Sequence, residues 1–366
     1  MMEKSTSERN TGIDLLRVIS MLMVVMLHVL GQGGVIRGNI ELTKSNYYIS
    51  WLLETAAYCA VDVFAIISGF FIIDGNKRIS ILRLWVGVFF YSVILTIFAG
   101  FYGGRELLNL FVWKRAFFPI VFNQWWYVSA YFCLFFISPW VNKLLLGIEK
   151  DEYRRLLCVS IILFVVIPTL FSYNSFSMEY SPMLLMFLYS IGVYLRRFGF
   201  GFINNRKIAI GVYLFSSAIA YAVGMAIEEI SFYLEGIRRG GGYLLSYTSP
   251  CMILQAVSLI YFFSESKFKP IFVKIIRIIA PSAFSIYLIH DHPLIFELFF
   301  RDKFSVYNSL PSVLFFLNII KATLIILVSC IAIDMIKRLV FKLLRIEDLC
   351  LSVCLAAERM RLAHKN

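Results

Sequence analysis

The sequence predicts an all-α fold, a polytopic transmembrane helical bundle of about ten spans. Three observations lead there. The chain of 366 residues is 60% hydrophobic and only 16% charged, whereas a soluble protein of this size carries roughly 25% charged residues. Several of its apolar runs reach the ~20 residues that cross a bilayer as a helix. Its lysines and arginines fall mainly on alternate sides of those runs, the pattern of a multi-pass protein. One membrane domain is expected over 12–336. It lies between a polar tail at 1–11 and a basic, amphipathic tail at 337–366 on the membrane surface.

In chain order, the first span is 12–31, followed by a glycine-bearing loop that ends in aromatic residues. The second is 51–73. A short basic turn leads to the third, 82–102. Residues 105–122 mix Arg105, Glu106, Lys114 and Arg115 with Leu, Phe and Trp, so they are read as an interfacial segment. The fourth span, 124–146, opens on Gln124-Trp125-Trp126-Tyr127. The fifth, 156–172, is closed by Pro168 and a polar loop. The sixth is 181–195, capped by Arg196-Arg197, and the seventh is 208–227. A loop with Glu228, Glu229, Glu235, Arg238 and Arg239 precedes the eighth, 243–263. The ninth, 275–299, holds Pro281 and His290-Asp291-His292-Pro293, and the tenth is 313–336.

Ten spans put both termini on one side. Segments on that side hold 24 Lys and Arg against 9 on the other, so both termini are expected in the cytoplasm. The same rule explains the net charge of +12 and argues against a nucleic-acid partner. Lys4 and Arg9 precede an apolar run as in a signal peptide. That run contains Asp14 and Arg17 and has no small-residue cleavage site, so it is read as a retained span. The seven cysteines show neither a disulfide framework nor a zinc-type spacing, and no metal is expected.

The first span, GIDLLRVISMLMVVMLHVLG, is almost wholly apolar yet holds Asp14, Arg17 and His28. Ionisable groups in a span are costly and usually face a bundle interior or a wet cavity. Arg17 and His28 are eleven residues apart, three turns plus about 20°, and so share a face about 16 Å apart along the axis. On the expected orientation Arg17 lies near the cytoplasmic face and His28 near the outer one.

Each polar residue also has a plain structural reading. Arg17 can snorkel to the interface, or pair with Asp14 at i, i+3. His28 can be a hydrogen-bonded packing residue. Ser68 can bond its own helix backbone and Gly69 can permit close helix packing. Asp62 sits near mid-membrane and needs a partner, which Arg17, His28 or another helix could supply. The aromatics Tyr47, Tyr48, Trp125, Trp126 and Tyr127 can anchor the interface or form a surface on which a sugar stacks.

Taken together, Gly12-Ile13-Asp14-Leu15-Leu16-Arg17 with His28, Val61-Asp62-Val63-Phe64-Ala65-Ile66-Ile67-Ser68-Gly69-Phe70, the basic Lys77-Arg78 and Arg83, Trp125-Trp126-Tyr127, Tyr247-Thr248-Ser249-Pro250 and Ser285-Ile286-Tyr287-Leu288-Ile289-His290 resemble, in order and spacing, the acyltransferase-3 family of membrane acyltransferases. The resemblance runs over about 12–295. It implies a multi-pass protein of the cell membrane, in the manner of a bacterial plasma membrane. The implied activity is O-acetyl transfer from cytoplasmic acetyl-CoA, a substrate and not a bound cofactor, to a hydroxyl of a cell-surface or exopolysaccharide glycan or its lipid-linked precursor. It makes the first-helix arginine and histidine, here Arg17 and His28, the essential pair. Members often carry an extracytoplasmic transferase domain. With a tail of about 30 residues none is expected here, leaving a single-component enzyme or one that works with polysaccharide-synthesis machinery. Two features depart from the family's pattern: NKRISILR is looser than its arginine cluster, and Gln124 stands where a histidine is common.

The chemistry fits these residues. His28 can act as general base or as a covalent acyl carrier. Arg17, Lys77, Arg78 and Arg83 lie where CoA phosphates would arrive, and arginine suits bidentate phosphate binding. An extended pantetheine arm would bridge the ~16 Å between Arg17 and His28. Asp14, Asp62, Ser68, Gly69 and His290 are supporting candidates, with His290 placed to orient His28 or touch the sugar. The rival readings are a glycan transporter or flippase without acyl-transfer chemistry, and the membrane part of a sensor or larger assembly.

Overall fold

The computed structural model describes residues 9–37, 42–73, 78–171 and 178–363, without the side chains of 78, 358, 359 and 361–363. Among the described residues there are helices and no strands. In order they are α1 (Thr11–Leu30), α2 (Lys44–Ala57), α3 (Ala60–Phe70), α4 (Arg78–Gly103), α5 (Leu110–Phe117), α6 (Trp126–Gly147), α7 (Lys150–Ile161), α8 (Ile167–Leu170), α9 (Pro182–Phe198), α10 (Arg206–Glu235), α11 (Pro250–Ser264), α12 (Pro270–Ile279), α13 (Ala283–His290), α14 (Pro293–Phe299), α15 (Ser312–Leu343) and α16 (Ile346–Ala363). This is an all-α polytopic bundle. Among the described residues eight helices are long and apolar enough to cross a membrane, counting α2–α3, α7–α8 and α12–α13 as one each. The other two of the ten expected positions are filled by α9 and α11, of 17 and 15 residues.

Burial separates the centre of the bundle from its rim. In α1, 56% of the most apolar window is buried, against 22% in α10 and 17% in α7–α8. The central α1 packs on α2, α3, α11, α12, α13 and α15. The rim helices turn Leu, Ile and Phe outward, as a lipid-facing surface requires. Because lipid is as apolar as a leucine, such helices are held together by close packing of small residues. The α3–α9 crossing shows this: a Cβ on Gly69 would stand 2.0 Å from the Tyr189 carbonyl oxygen, and one on Gly192 2.1 Å from that of Ile66. Ser68 donates from Oγ to the Phe64 carbonyl, 2.9 Å. Gly12 brings α1 against the end of α11, where a Cβ would meet the Phe263 carbonyl oxygen at 1.8 Å.

Local chemistry sets the breaks. Pro168 lacks the N–H that continues an α-helix, and residues Ile162–Val166 before it widen into a π-turn. Pro281 lies in the 3-10 turn between α12 and α13. His292, in extended backbone before Pro293, ends one helix and starts the next. The ninth span is therefore two helices that stop at His290, with α14 separate. Only Pro250–Ser264 of the expected eighth span is helical; the turns before it carry Tyr247 into the interior, where it is buried.

Residues 105–122, expected as an interfacial segment, carry the short helix α5, which packs on α4. The Ser92 hydroxyl donates to the Ala116 carbonyl at 2.8 Å, and Ser92 is eleven residues, about 16 Å, from the end of α4 at Gly103. The segment thus folds back along α4 on the rim, with Leu110, Phe111, Phe118 and Val121 exposed. Ser92 and Ser129 donate to two of its carbonyls.

The start of α1 and the end of α11 share one face, tied by Asn10 Nδ2 to the Ser264 carbonyl at 3.0 Å. The basic tail is described as far as residue 363. It continues α15 to Leu343 and then forms α16, which packs on α4 and α15.

Candidate active site

Helix α13 brings its last residue, His290, against His28 near the end of α1. His290 Nδ1 lies 2.6 Å from the Ile286 carbonyl oxygen. A carbonyl only accepts, so Nδ1 carries the proton and Nε2 is left as an acceptor. His28 Nδ1 sits 3.0 Å from that Nε2 and must therefore donate to it. The hydrogen bonds thus assign His28 a tautomer with its lone pair on Nε2. Phe296 meets the His28 ring edge-on at 5.5 Å, and Phe300 flanks His290. Asp291 Oδ1 is 3.8 Å from His28 Nδ1, beyond hydrogen-bond range but close enough to stabilise a positive imidazole.

His28 lines a cavity of about 360 Å³. On α1 the wall is Met21, Val24 and His28, one helical face. On α2–α3 it is Trp51, Glu54, Tyr58 and Val61, spaced by three, four and three residues. Trp126 and Tyr247 stack at 5.9 Å, and Tyr58 and Tyr180 pack on Tyr247 at 5.3 and 5.6 Å. Tyr180 and Arg37 are exposed and mark the mouth. The floor reaches Met21, one turn above Arg17.

At the other end of the face, Asp14 is buried and pairs with both Arg9 and Arg17, the latter at 3.0 Å. Arg17 also lies over the Phe71 ring at 5.5 Å, and about a third of its side chain is exposed. Phe71 leads into the basic stretch, of which Lys77 and the Arg78 side chain lie outside the described residues. Arg83 is not drawn to Arg17 by any contact; it faces Glu347 of α16 at 3.9 Å. Asp62 is fully buried, and neither oxygen has a hydrogen-bond partner among the described residues. Its expected pairing with Arg17 or His28 does not form: no ion pair or hydrogen bond joins Asp62 to either. Ser68 and Gly69 serve helix packing.

The aromatic residues divide. Trp126 and Tyr127 line the cavity. Trp125 is buried against the His292 ring, and the Tyr47 and Tyr48 hydroxyls bond Glu228 and Glu229. The sequence reading left out Glu54, Tyr58 and Tyr180. For Glu54 a signal existed, since any carboxylate inside a span is a candidate functional group.

The helical bundle thus holds two hydrogen-bonded histidines beside an aromatic cavity. The acyltransferase-3 family model, described as an acyltransferase domain, matches residues 10–335. The chain belongs to that family and is a membrane acyltransferase. No curated protein and no solved structure matches it.

Proposed function

We propose that the protein moves an acetyl group from cytoplasmic acetyl-CoA to a hydroxyl of a cell-surface or exopolysaccharide glycan, or of its lipid-linked precursor, with His28 as the general base. The observation that carries this reading is the relay from the Ile286 carbonyl through His290 to His28, which leaves one basic nitrogen on a residue that lines the cavity. His28 Nε2 takes the proton of the acceptor hydroxyl as its oxygen attacks the thioester carbonyl. The C–O bond forms, the C–S bond breaks, and the proton passes to the departing thiolate. The positive charge that appears on His28 is shared with His290 and steadied by Asp291.

The donor enters from the Arg17 end, where CoA phosphates meet Arg17 and the basic stretch before α4. The pantetheine arm then runs along the α1 face toward the cavity, whose floor is one turn away. Aromatic walls suit a carbohydrate ring, whose C–H faces pack on Trp and Tyr. The test is labelled acetyl-CoA with the protein in lipid nanodiscs and candidate glycans. Acetylated glycan should form, and His28→Ala should cut the rate by about 10²–10⁴-fold, the range for a lost acid–base group. Undiminished transfer by a folded His28→Ala protein, or glycan flux without acetylation, would overturn the reading.

A further inference from the structure

Glu54 stands in the α2–α3 wall of the cavity. Its Oε2 is buried and has no hydrogen-bond partner among the described residues. The cation that acts on it, Arg37, is exposed at the mouth and makes no ion pair with it. Glu54 is therefore placed to meet what enters through the mouth, away from the Arg17 end. An ionised carboxylate buried without a partner costs far more than taking up a proton, so Glu54 is held as the neutral acid. In that form its O–H donates and its C=O accepts. Trp51 and Tyr58 stand one turn either side of it, and Trp126 and Tyr247, stacked on each other, line the same cavity. In an aromatic cavity the few polar groups fix the orientation of the ligand. A ligand that fills the cavity displaces water from Glu54 and must replace its hydrogen bonds.

We infer that Glu54 binds one ring hydroxyl of the acceptor as a neutral acid, donating its proton to the hydroxyl oxygen and accepting the hydroxyl proton on its carbonyl, and so decides which ring position must carry a hydroxyl. A sugar that lacks this hydroxyl keeps its apolar faces against the aromatics but leaves both the donor and the acceptor of Glu54 unpaired. Sites built to hydrogen-bond a substrate hydroxyl reject the analogue without it far more strongly than apolar sites reject a mismatch. The pairing depends on hydrogen bonds and not on charge. Gln at this position offers the same donor and acceptor, whereas Leu offers neither.

This inference rests on the carbohydrate reading above, and the test keeps the two apart. Methyl glycosides (gluco, galacto and manno) and their monodeoxy derivatives are bound to wild type, Glu54→Gln and Glu54→Leu, with thermal melting as a control on the fold. Binding is followed by the fluorescence of Trp51 and Trp126, and transfer by labelled acetyl-CoA. In wild type at least one deoxy derivative should bind roughly tenfold or more weakly than its parent. Glu54→Gln should keep that penalty within about threefold, and Glu54→Leu should abolish it by weakening the parent. The infrared difference between wild type and Glu54→Gln should show the loss of a carboxylic-acid C=O stretch. A flat deoxy series in wild type, a penalty that survives in Glu54→Leu, a penalty lost in Glu54→Gln, or loss of a carboxylate band in place of the acid band would overturn the inference. The wild-type series and Glu54→Gln decide it even where Glu54→Leu does not fold. Binding of no glycoside would sink the carbohydrate reading and the inference with it. Selective binding without acetyl transfer would uphold Glu54 and sink the proposed function.

Discussion

His290→Ala is the most informative single change. It removes the acceptor of the His28 Nδ1 proton, 3.0 Å away, and with it the link to the Ile286 carbonyl. In the resting enzyme this hydrogen bond is neutral and contributes about 0.5–1.5 kcal/mol. In the transition state His28 becomes an imidazolium, and the same bond becomes one to a charged donor, of about 1.5–3 kcal/mol. Only the part that appears in the transition state affects kcat. Together with loss of the fixed tautomer, that predicts a fall of roughly ten- to a hundredfold in kcat, since each ~1.4 kcal/mol is tenfold. KM for both substrates should stay within about threefold. His290→Gln, which can still accept through Oε1, should recover part of the loss. The assay is steady-state acetyl transfer in nanodiscs, with size-exclusion behaviour and thermal melting as controls on the fold. Wild-type kcat in a folded His290→Ala protein would show that the relay is idle. Complete loss, equal to His28→Ala, would make His290 a reacting group and refute the positioning role.

Two further changes probe the rest of the molecule. Gly69→Ala pushes a methyl into the Tyr189 carbonyl at the α3–α9 crossing; it should lower stability by about 1–3 kcal/mol, the usual penalty of overpacking, read as a lower melting temperature, and an unchanged melt would contradict the packing described. Arg17→Lys keeps the charge beside Asp14 but loses the planar fork; it should raise the KM for acetyl-CoA several-fold with little effect on the acceptor KM, and the reverse pattern would place Arg17 away from the donor.

Much of this architecture was legible in the sequence because it depends on local properties. Hydropathy marks spans wherever the chain goes, and the Arg17–His28 spacing fixes a shared face whatever packs against it. What was not legible depends on contacts between distant segments. His28 and His290 are 262 residues apart in the chain, and no periodicity announces that two helix ends will meet there. The folding back of 105–122 along α4 was not legible because the bond that fixes it, Ser92 to Ala116, is tertiary. The shortness of α9 and α11 follows from their burial: helices wrapped by others need not match the bilayer alone. Glu54 was passed over because one carboxylate barely lowers the hydropathy of a 27-residue helix. Asp62 drew attention for the same reason that Glu54 should have, but it is Glu54 that reaches the cavity.

The tautomer of His28 is dictated, through His290, by a main-chain carbonyl in the last turn of α13. The state of the base is thus tied to the integrity of a helix end, not to the substrate. If that turn loosens, Ile286 and His290 part, the His290 proton is free to move to Nε2, and His28 must surrender its lone pair to accept it. On the proposed mechanism, a change at the end of α13 that parts Ile286 and His290 would silence His28 while leaving the cavity walls and Arg17 where they are.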